Sequence, residues 1–412
     1  MARRGANQPS VGGYNEAVVL DQIRRSHGYS RVELADATGL SAQTVSNIVQ
    51  RLLDAGIVEE AGRTSSGRGK PRTTLRLVGS SRYAVGVHLD PGLITVVLLS
   101  IDGEVIARHA RATPLAQDPS DTVEVLTQDI EMTLTGSGID RSRIVGLGIA
   151  APGPIDVERG IVLDPPNLAG WDRVPLRDAV AGATGLTVLL EKDVTAAAVA
   201  EKWIAAPGGA QNFAFLYVGT GLGVGLVIGD EVVRGGSGNA GEIGHIVVDP
   251  DGLPCACGMR GCIAVSCAPL PLIEEAERRG IIDAQRTGDD PTELDAALTR
   301  LVARADGGDA VAQTLLARCS EHMARALAVV SNLLDVDRIV LGGPFWGRLE
   351  HVLAETVPTP GRCRSGHQHS STSTLTTIVT VPRLHPTWRE TPWLRTSHGM
   401  LPRPECTSIA TE

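Results

Sequence analysis

The sequence predicts an α/β protein that begins with a winged helix-turn-helix, and three observations carry that expectation. Between residues 13 and 60, three helical patterns are separated by turn residues and followed by a basic, Gly- and Pro-containing loop. From Tyr83 the pattern switches to strands, and strand-then-helix segments recur as far as Leu341. Charge divides at the same place: residues 1–77 hold 11 Lys/Arg against 7 Asp/Glu, and the rest of the 412-residue chain holds 27 against 40. A basic head on an acidic body implies that only the head meets a polyanion.

Composition removes several classes. With 42% apolar and 21% charged residues, the chain has an ordinary globular mix, which excludes collagen-like repeats and wholesale disorder. The longest apolar run, Tyr83 to Ile101, is interrupted by His88 and Asp90 and falls short of the roughly 20 clean residues of a membrane span. The first residues, MARRGANQPSVGGYNE, are basic without a following apolar segment, so no secretory signal, no membrane contact and a cytoplasmic location are expected.

In the head, the first helix is expected near Asn15–Ser26, with Val19, Leu20 and Ile23 on its apolar face. Ser30-Arg31-Val32-Glu33 has the form of a capping box, and Gly39 can turn left-handed to end that second helix. Ser41 caps a third, whose apolar face runs Val45, Ile48, Val49, Leu52 and Leu53 and which closes at Gly56. Its outer face offers Gln43, Thr44 and Asn47, then Arg51. Gln and Asn pair bidentately with adenine, and Thr contacts bases or phosphate. Arg63, Arg68, Lys70, Arg72 and Arg76 then follow and are expected to face no acidic residue, in a stretch that Gly67, Gly69 and Pro71 make a loop. Thr73 to Val78 alternates as the returning strand of a wing. Such a wing neutralises phosphates and sets the register of the recognition helix on double-stranded DNA. A plain three-helix core with a solvated loop is the other reading of this segment.

In the body, Tyr83–Asp90, Leu93–Ile101 and Val105–Thr113 form a meander, followed by a helix near Ser120–Leu134 and a strand at Arg143–Ala150. The alternation resumes with Phe213–Gly219, Leu222–Ile228, a long helix through Ala310–Leu334, and Arg338–Leu341, giving two similar halves. Three of the seven cysteines crowd together. His245, Cys255, Cys257 and Cys262 supply one imidazole and three thiolates, a closed set suited to structural zinc. Small buried cysteines beside a surface His are the alternative. Cys267, Cys319, Cys363 and Cys406 fit no metal spacing.

The run Gly219-Thr220-Gly221-Leu222-Gly223-Val224-Gly225, with Gly241-Glu242-Ile243-Gly244-His245 and Cys255-Ala256-Cys257-Gly258-Met259-Arg260-Gly261-Cys262, resembles the ROK family of repressors, open reading frames and kinases. The likeness covers about residues 80–345, and the preceding winged helix places it with the sugar-responsive repressor branch. It implies a two-lobed, actin-like (ribonuclease-H-like) ATPase fold. It also implies Asp193 as the catalytic base of a kinase and Asn167, Asp193, Glu242 and His245 as sugar-binding residues. Gly219, Thr220, Gly221 and Gly223 would approach a nucleotide phosphate, and Gly342-Gly343-Pro344 would form the adenosine-side loop. By their position between two strands, the first glycines also serve tight hairpin packing.

Three departures from the resembled pattern argue against catalysis and against tight ATP binding. The first phosphate loop is Asp90-Pro91-Gly92-Leu93-Ile94, without its second Gly and its Thr. Lys192 replaces the Asn that precedes the Asp, and Ala264 replaces a Glu after the last cysteine. Lys192 either attracts an anionic ligand, such as a sugar phosphate or sugar acid, or points at solvent. The expected parts are a head (1–79), a first actin-like subdomain (80–195), a second with the zinc loop (196–360) and an atypical tail (361–412). That tail holds four of the ten His and two of the five Trp, where the family pattern would close with a strand and a Gly/Ala-rich helix. A frame-shifted end and a lineage-specific extension both account for it. The function expected is a sugar-responsive DNA-binding regulator, homodimeric or homotetrameric. A sugar kinase and a damaged, constitutively DNA-binding regulator are the alternatives.

Overall fold

The first helix, α1 (Gln8–Arg25), starts seven residues before the expected Asn15. This computed structural model describes residues 8–26, 28–64, 72–114, 118–166, 168, 170–205, 211–284, 291–336, 338–353 and 377–380. Helix α2 (Arg31–Thr38) has both halves of the capping box between Ser30 and Glu33 and ends on Gly39 at φ 68°. Ser41 caps α3 (Ala42–Asp54). Strands β1 (Val58–Thr64) and β2 (Arg72–Leu77) pair antiparallel as the wing. Val19, Ile23, Leu34, Val45, Ile48, Val49, Leu52, Val58 and Leu75 close one core beneath the three helices and the wing. Leu20 and Leu53 are only partly buried at its edge.

The body holds two five-stranded sheets. In the first, β3 (Tyr83–Leu89), β4 (Leu93–Ser100) and β5 (Val105–Ala112) form the expected antiparallel meander. Helix α4 (Pro119–Ser137) then returns the chain to β6 (Ile144–Ala151), parallel to β3. A small hairpin, β7 (Ile155–Asp156) with β8 (Ile161–Val162), and α5 (Leu176–Thr184) lead to β9 (Val188–Lys192), parallel to β6. Helix α6 (Asp193–Ile204) follows without a break and leads to the second sheet.

In that sheet β10 (Phe213–Val218) and β11 (Leu222–Ile228) pair antiparallel, and β12 (Glu231–Val232) extends the edge. After the cysteine loop come α7 (Ile263–Cys267), α8 (Pro269–Arg278), α9 (Pro291–Asp306) and the long α10 (Ala310–Leu334). β13 (Arg338–Gly342) runs parallel to β10. Helix α11 (Trp346–Leu353) and β14 (Thr377–Thr380) complete the described chain. The two sheets share a plan but differ at one edge, since β9 runs parallel to β6 while β14 runs antiparallel to β13. β14 is the only described part of 361–412; Cys363, Cys406 and the rest of that tail lie outside the described residues.

Helix α6 joins the halves, and the expected 195/196 boundary falls inside it. It leaves the edge of the first sheet at Lys192 and buries Val194 and Ala198 against Phe213, Phe215, Tyr217 and Val227 of the second. The approach requires glycine in β11: a Cβ on Gly225 would lie 2.1 Å from the Val194 carbonyl oxygen, and one on Gly223 2.7 Å from a Val194 methyl. Among the described residues, no helix is long and apolar enough to cross a membrane.

Candidate DNA-binding face, ligand cleft and metal loop

The outer face of α3 presents Gln43 and Asn47 to solvent, the Gln43 side-chain amide donating to Asn47 Oδ1 at 2.9 Å. Both amides therefore stand side by side on one exposed ridge, ready to exchange that bond for a base edge. Thr44 is half-buried, with its hydroxyl 2.8 Å from that of the capping Ser41, so part of its hydrogen-bonding capacity is engaged. Arg51 bonds Glu16 of α1 at 2.9 Å, which ties it to the head's own fold. Arg76, expected to meet no acid, pairs with Glu59 across the wing at 2.5 Å because the strand register sets them opposite. Arg72 is exposed at the start of β2; Arg68 and Lys70 lie outside the described residues.

Asp193 opens α6, where the first sheet hands over to the second. Burial pushes its carboxyl up to about 7, against the pull of the Val194 N–H, which donates to it at 2.7 Å, and of the neighbouring Lys192 ammonium. Lys192 does not point at solvent. It is 3% exposed, and its ammonium forms an ion pair with Glu242, whose side chain opens to the surface. A buried ammonium is retained only when paired, so Glu242 sets its place. Glu191 on the other side bonds Arg234 at 2.6 Å. Asn167 lies outside the described residues, so three of the four sugar-binding candidates are placed: Asp193, Glu242 and His245.

Sequence reasoning missed a contact near Asp193 that joins the two sheets. The hydroxyl of Tyr217 on β10 lies 3.0 Å from Nε2 of His88 on β3, a bond between the two sheets. Burial holds the His88 imidazole below its ordinary range and, with Asp90 and Asp193 nearby, lifts the Tyr217 phenol well above its own. The signal was only that His88 interrupts an apolar strand.

Asp90 ends β3 in a turn satisfied from within. Its carboxylate accepts the Gly92 N–H at 2.8 Å, and its carbonyl accepts the Thr113 hydroxyl at 2.6 Å. Pro91 has no N–H to offer, so this turn is a poor cradle for phosphate oxygens. In the β10–β11 hairpin, Gly219 N–H bonds the Gly221 carbonyl. A Cβ on Gly219 would strike the Tyr217 ring, and one on Gly223 would strike Val194, so both positions are required for packing. Gly221 faces open space.

His245, Cys255, Cys257 and Cys262 converge, with one donor atom from each within 4.8 Å of all the others. The Cys257 and Cys262 sulfurs are 3.6 Å apart, and Cys255 Sγ is 3.5 Å from His245 Nδ1. These separations fit a tetrahedral ion with sulfur at about 2.3 Å and nitrogen at about 2.0 Å. The loop closes on Gly261, at φ 64°, where a Cβ would lie 1.4 Å from the Asp249 carbonyl oxygen. Cys267 and Cys319 pack together in the core of the second lobe, away from this cluster.

A winged helix-turn-helix on a two-sheet body with a Cys3His loop defines the class: residues 85–360 match the ROK family and residues 13–69 the MarR family. The chain belongs to the ROK family, and its body has that family's actin-like ATPase fold. It is 29% identical over 340 residues to the xylose repressor of Caldicellulosiruptor bescii, covering 81% of this chain and 84% of that one. It is 33% identical over 264 residues to the glucokinase of Thermotoga maritima, covering 63% of this chain and 81% of that one. Among solved structures it is similar to a ROK family transcriptional regulator, a homolog of the E. coli Mlc protein. That likeness has a TM-score of 0.69 and 26% identity, covering 84% of this chain and 87% of that one.

Proposed function

We propose that this protein is a sugar-responsive, DNA-binding transcriptional regulator, a repressor of carbohydrate-related genes, whose body senses its ligand without phosphorylating it. The observation that carries the reading is the joining of a head with an exposed Gln43/Asn47 ridge to a ROK body whose Asp90 turn spends its donors on itself. Double-stranded DNA meets α3 and the wing, with Arg68, Lys70 and Arg72 on phosphates. The protein works in the cytoplasm as a homodimer or homotetramer, since one head buries too little surface for operator-grade affinity and paired half-sites supply the rest.

Asp193, Glu242 and His245, with Asn167, hold the sugar hydroxyls. Lys192 favours an anionic sugar derivative, because a phosphate or carboxylate can take over the Lys192 ammonium and release Glu242. Zinc fits His245, Cys255, Cys257 and Cys262 by donor chemistry and spacing; with four protein ligands it would brace the loop and leave no open position for catalysis. Such an ion would tie Cys262, at the start of α7, to His245.

A sugar kinase is the second reading, favoured by the retained Asp193 with its carboxyl near 7, where a base can accept a hydroxyl proton. Gly219, Thr220, Gly221 and Gly223 would then meet ATP. Mapping bound DNA with and without neutral sugars and sugar phosphates, alongside ATP consumption, separates the two. The regulator loses DNA with ligand and consumes no ATP; a kinase turns over steadily, and the Asp193→Asn variant stops it.

A further inference from the structure

We propose that Arg24 is the positioning residue through which the ligand cleft holds the DNA-binding head, with α6 as the rigid link between them. The inference rests on the sensor reading above. Arg24 lies in the last turn of α1 and reaches the opposite end of α6 from Asp193. Its Nη1 donates to the Trp203 carbonyl at 2.6 Å, and its guanidinium stacks 3.7 Å over the Trp203 ring. Its Nη2 is held by Asp21 at 2.8 Å, so the planar group is fixed from three sides and little exposed. A cation over the last carbonyls of a helix also meets the negative end of its dipole. Trp203 rests in turn near Gly103, in the β4–β5 turn of the first lobe.

The other end of α6 carries the ligand residues. Lys192 stands at its N-cap and pairs with Glu242 of the second lobe, and Asp193 is its first residue. Twelve residues span about 18 Å at 1.5 Å per residue, so the helix connects cleft and head in one piece. Its flank lies on β11 at Gly223 and Gly225 with no room for a methyl group, which leaves little slack for it to bend. A ligand that breaks the Lys192–Glu242 pair removes the polar tie at the start of α6 while Val194 and Ala198 stay packed on the second lobe, and the shift of the helix reaches Trp203 and Arg24. Within the head it passes from α1 to α3 through Val19 and Ile23 in the shared core and through the Glu16–Arg51 pair. Both ends of the link are specific contacts with two arrangements, made or broken, as physical coupling requires.

Hydrogen exchange on the full-length protein tests this without operator or sugar. Four forms are compared: wild type, Lys192→Ala, Arg24→Ala and the double variant. Lys192→Ala should speed exchange several-fold in α6 and, at a distance, in α1. With Arg24→Ala also present, the α6 response should remain and the α1 response to Lys192→Ala should vanish. Arg24→Lys, which keeps the charge but not the planar stack, should give an intermediate response. Trp203→Leu removes the stack from the other side and should repeat Arg24→Ala if that variant folds poorly. An α1 response that persists without Arg24, or is missing in Lys192→Ala alone, overturns the inference. Operator binding in the wild type that ignores every sugar would instead remove the sensor reading and leave this exchange pattern standing.

Discussion

At Asp193, a carboxyl at about 7 in the folded chain has an ordinary value of 3.8, and burial is the main cause. Its folded pKa is raised, so its contribution to stability is complete below about pH 4 and is lost as pH rises through 7. Asp193→Asn removes the titration, and its melting temperature should therefore exceed that of the wild type at pH 8, by a margin that narrows at pH 5. A gap that is the same at both pH values would show that Asp193 is not held in a desolvated place. Gly261→Ala is expected to cost well beyond the ~1 kcal/mol of an ordinary substitution, because a left-handed φ and a carbonyl oxygen 1.4 Å away both oppose a Cβ. Its denaturation midpoint checks that. Single residues were also where the sequence was hardest to read. The Lys192–Glu242 pair joins positions 50 apart, and the His88–Tyr217 bond joins positions 129 apart. Neither follows from local pattern; each depends on how two sheets meet.

Elements were legible where local chemistry decides them. Ser30 with Glu33, Gly39 and Ser41 state the ends of α2 and α3, and the structure has each cap in place. The start of α1 was not legible, because Gln8 to Tyr14 offer two glycines and a weak apolar pattern, and β14 had no signal in a Ser/Thr-rich tail. Two predictions belong to elements. Replacing Gln43, Thr44 and Asn47 of α3 with Ala should erase sequence preference and keep salt-sensitive binding. Replacing Arg68, Lys70 and Arg72 of the wing should weaken all sequences alike and flatten the salt slope by about one unit for each phosphate no longer neutralised. Binding titrations over a salt series decide between them, and the same selective loss from both sets would refute the division of labour. For the cysteine loop, the purified protein should carry about one zinc per chain, and Cys257→Ser should release it. Metal analysis that finds no zinc in fresh, unchelated protein would refute the assignment.

For the whole molecule, the order of strands and helices was readable from periodicity, and the two-lobed plan from the resemblance carried by the glycine, Glu242–His245 and cysteine motifs. The helix that crosses between lobes was not, since Lys192 and Asp193 at its start read as site residues and gave no sign of a joint. On the function proposed above, ligand binding at that joint changes DNA affinity and consumes no ATP. Coupling of 1–3 kcal/mol, a change of about 5–150-fold, is ordinary between such sites. The most direct measurement is the affinity of the full-length protein for a DNA site recovered by its own selection. It is made with no ligand, with neutral sugars and with sugar phosphates, and ATP consumption is followed in the same tubes. Binding should weaken with one of these ligands, within that range, with no ATP used. Steady ATP turnover abolished by Asp193→Asn, or an affinity unmoved by every sugar and sugar phosphate, would contradict it.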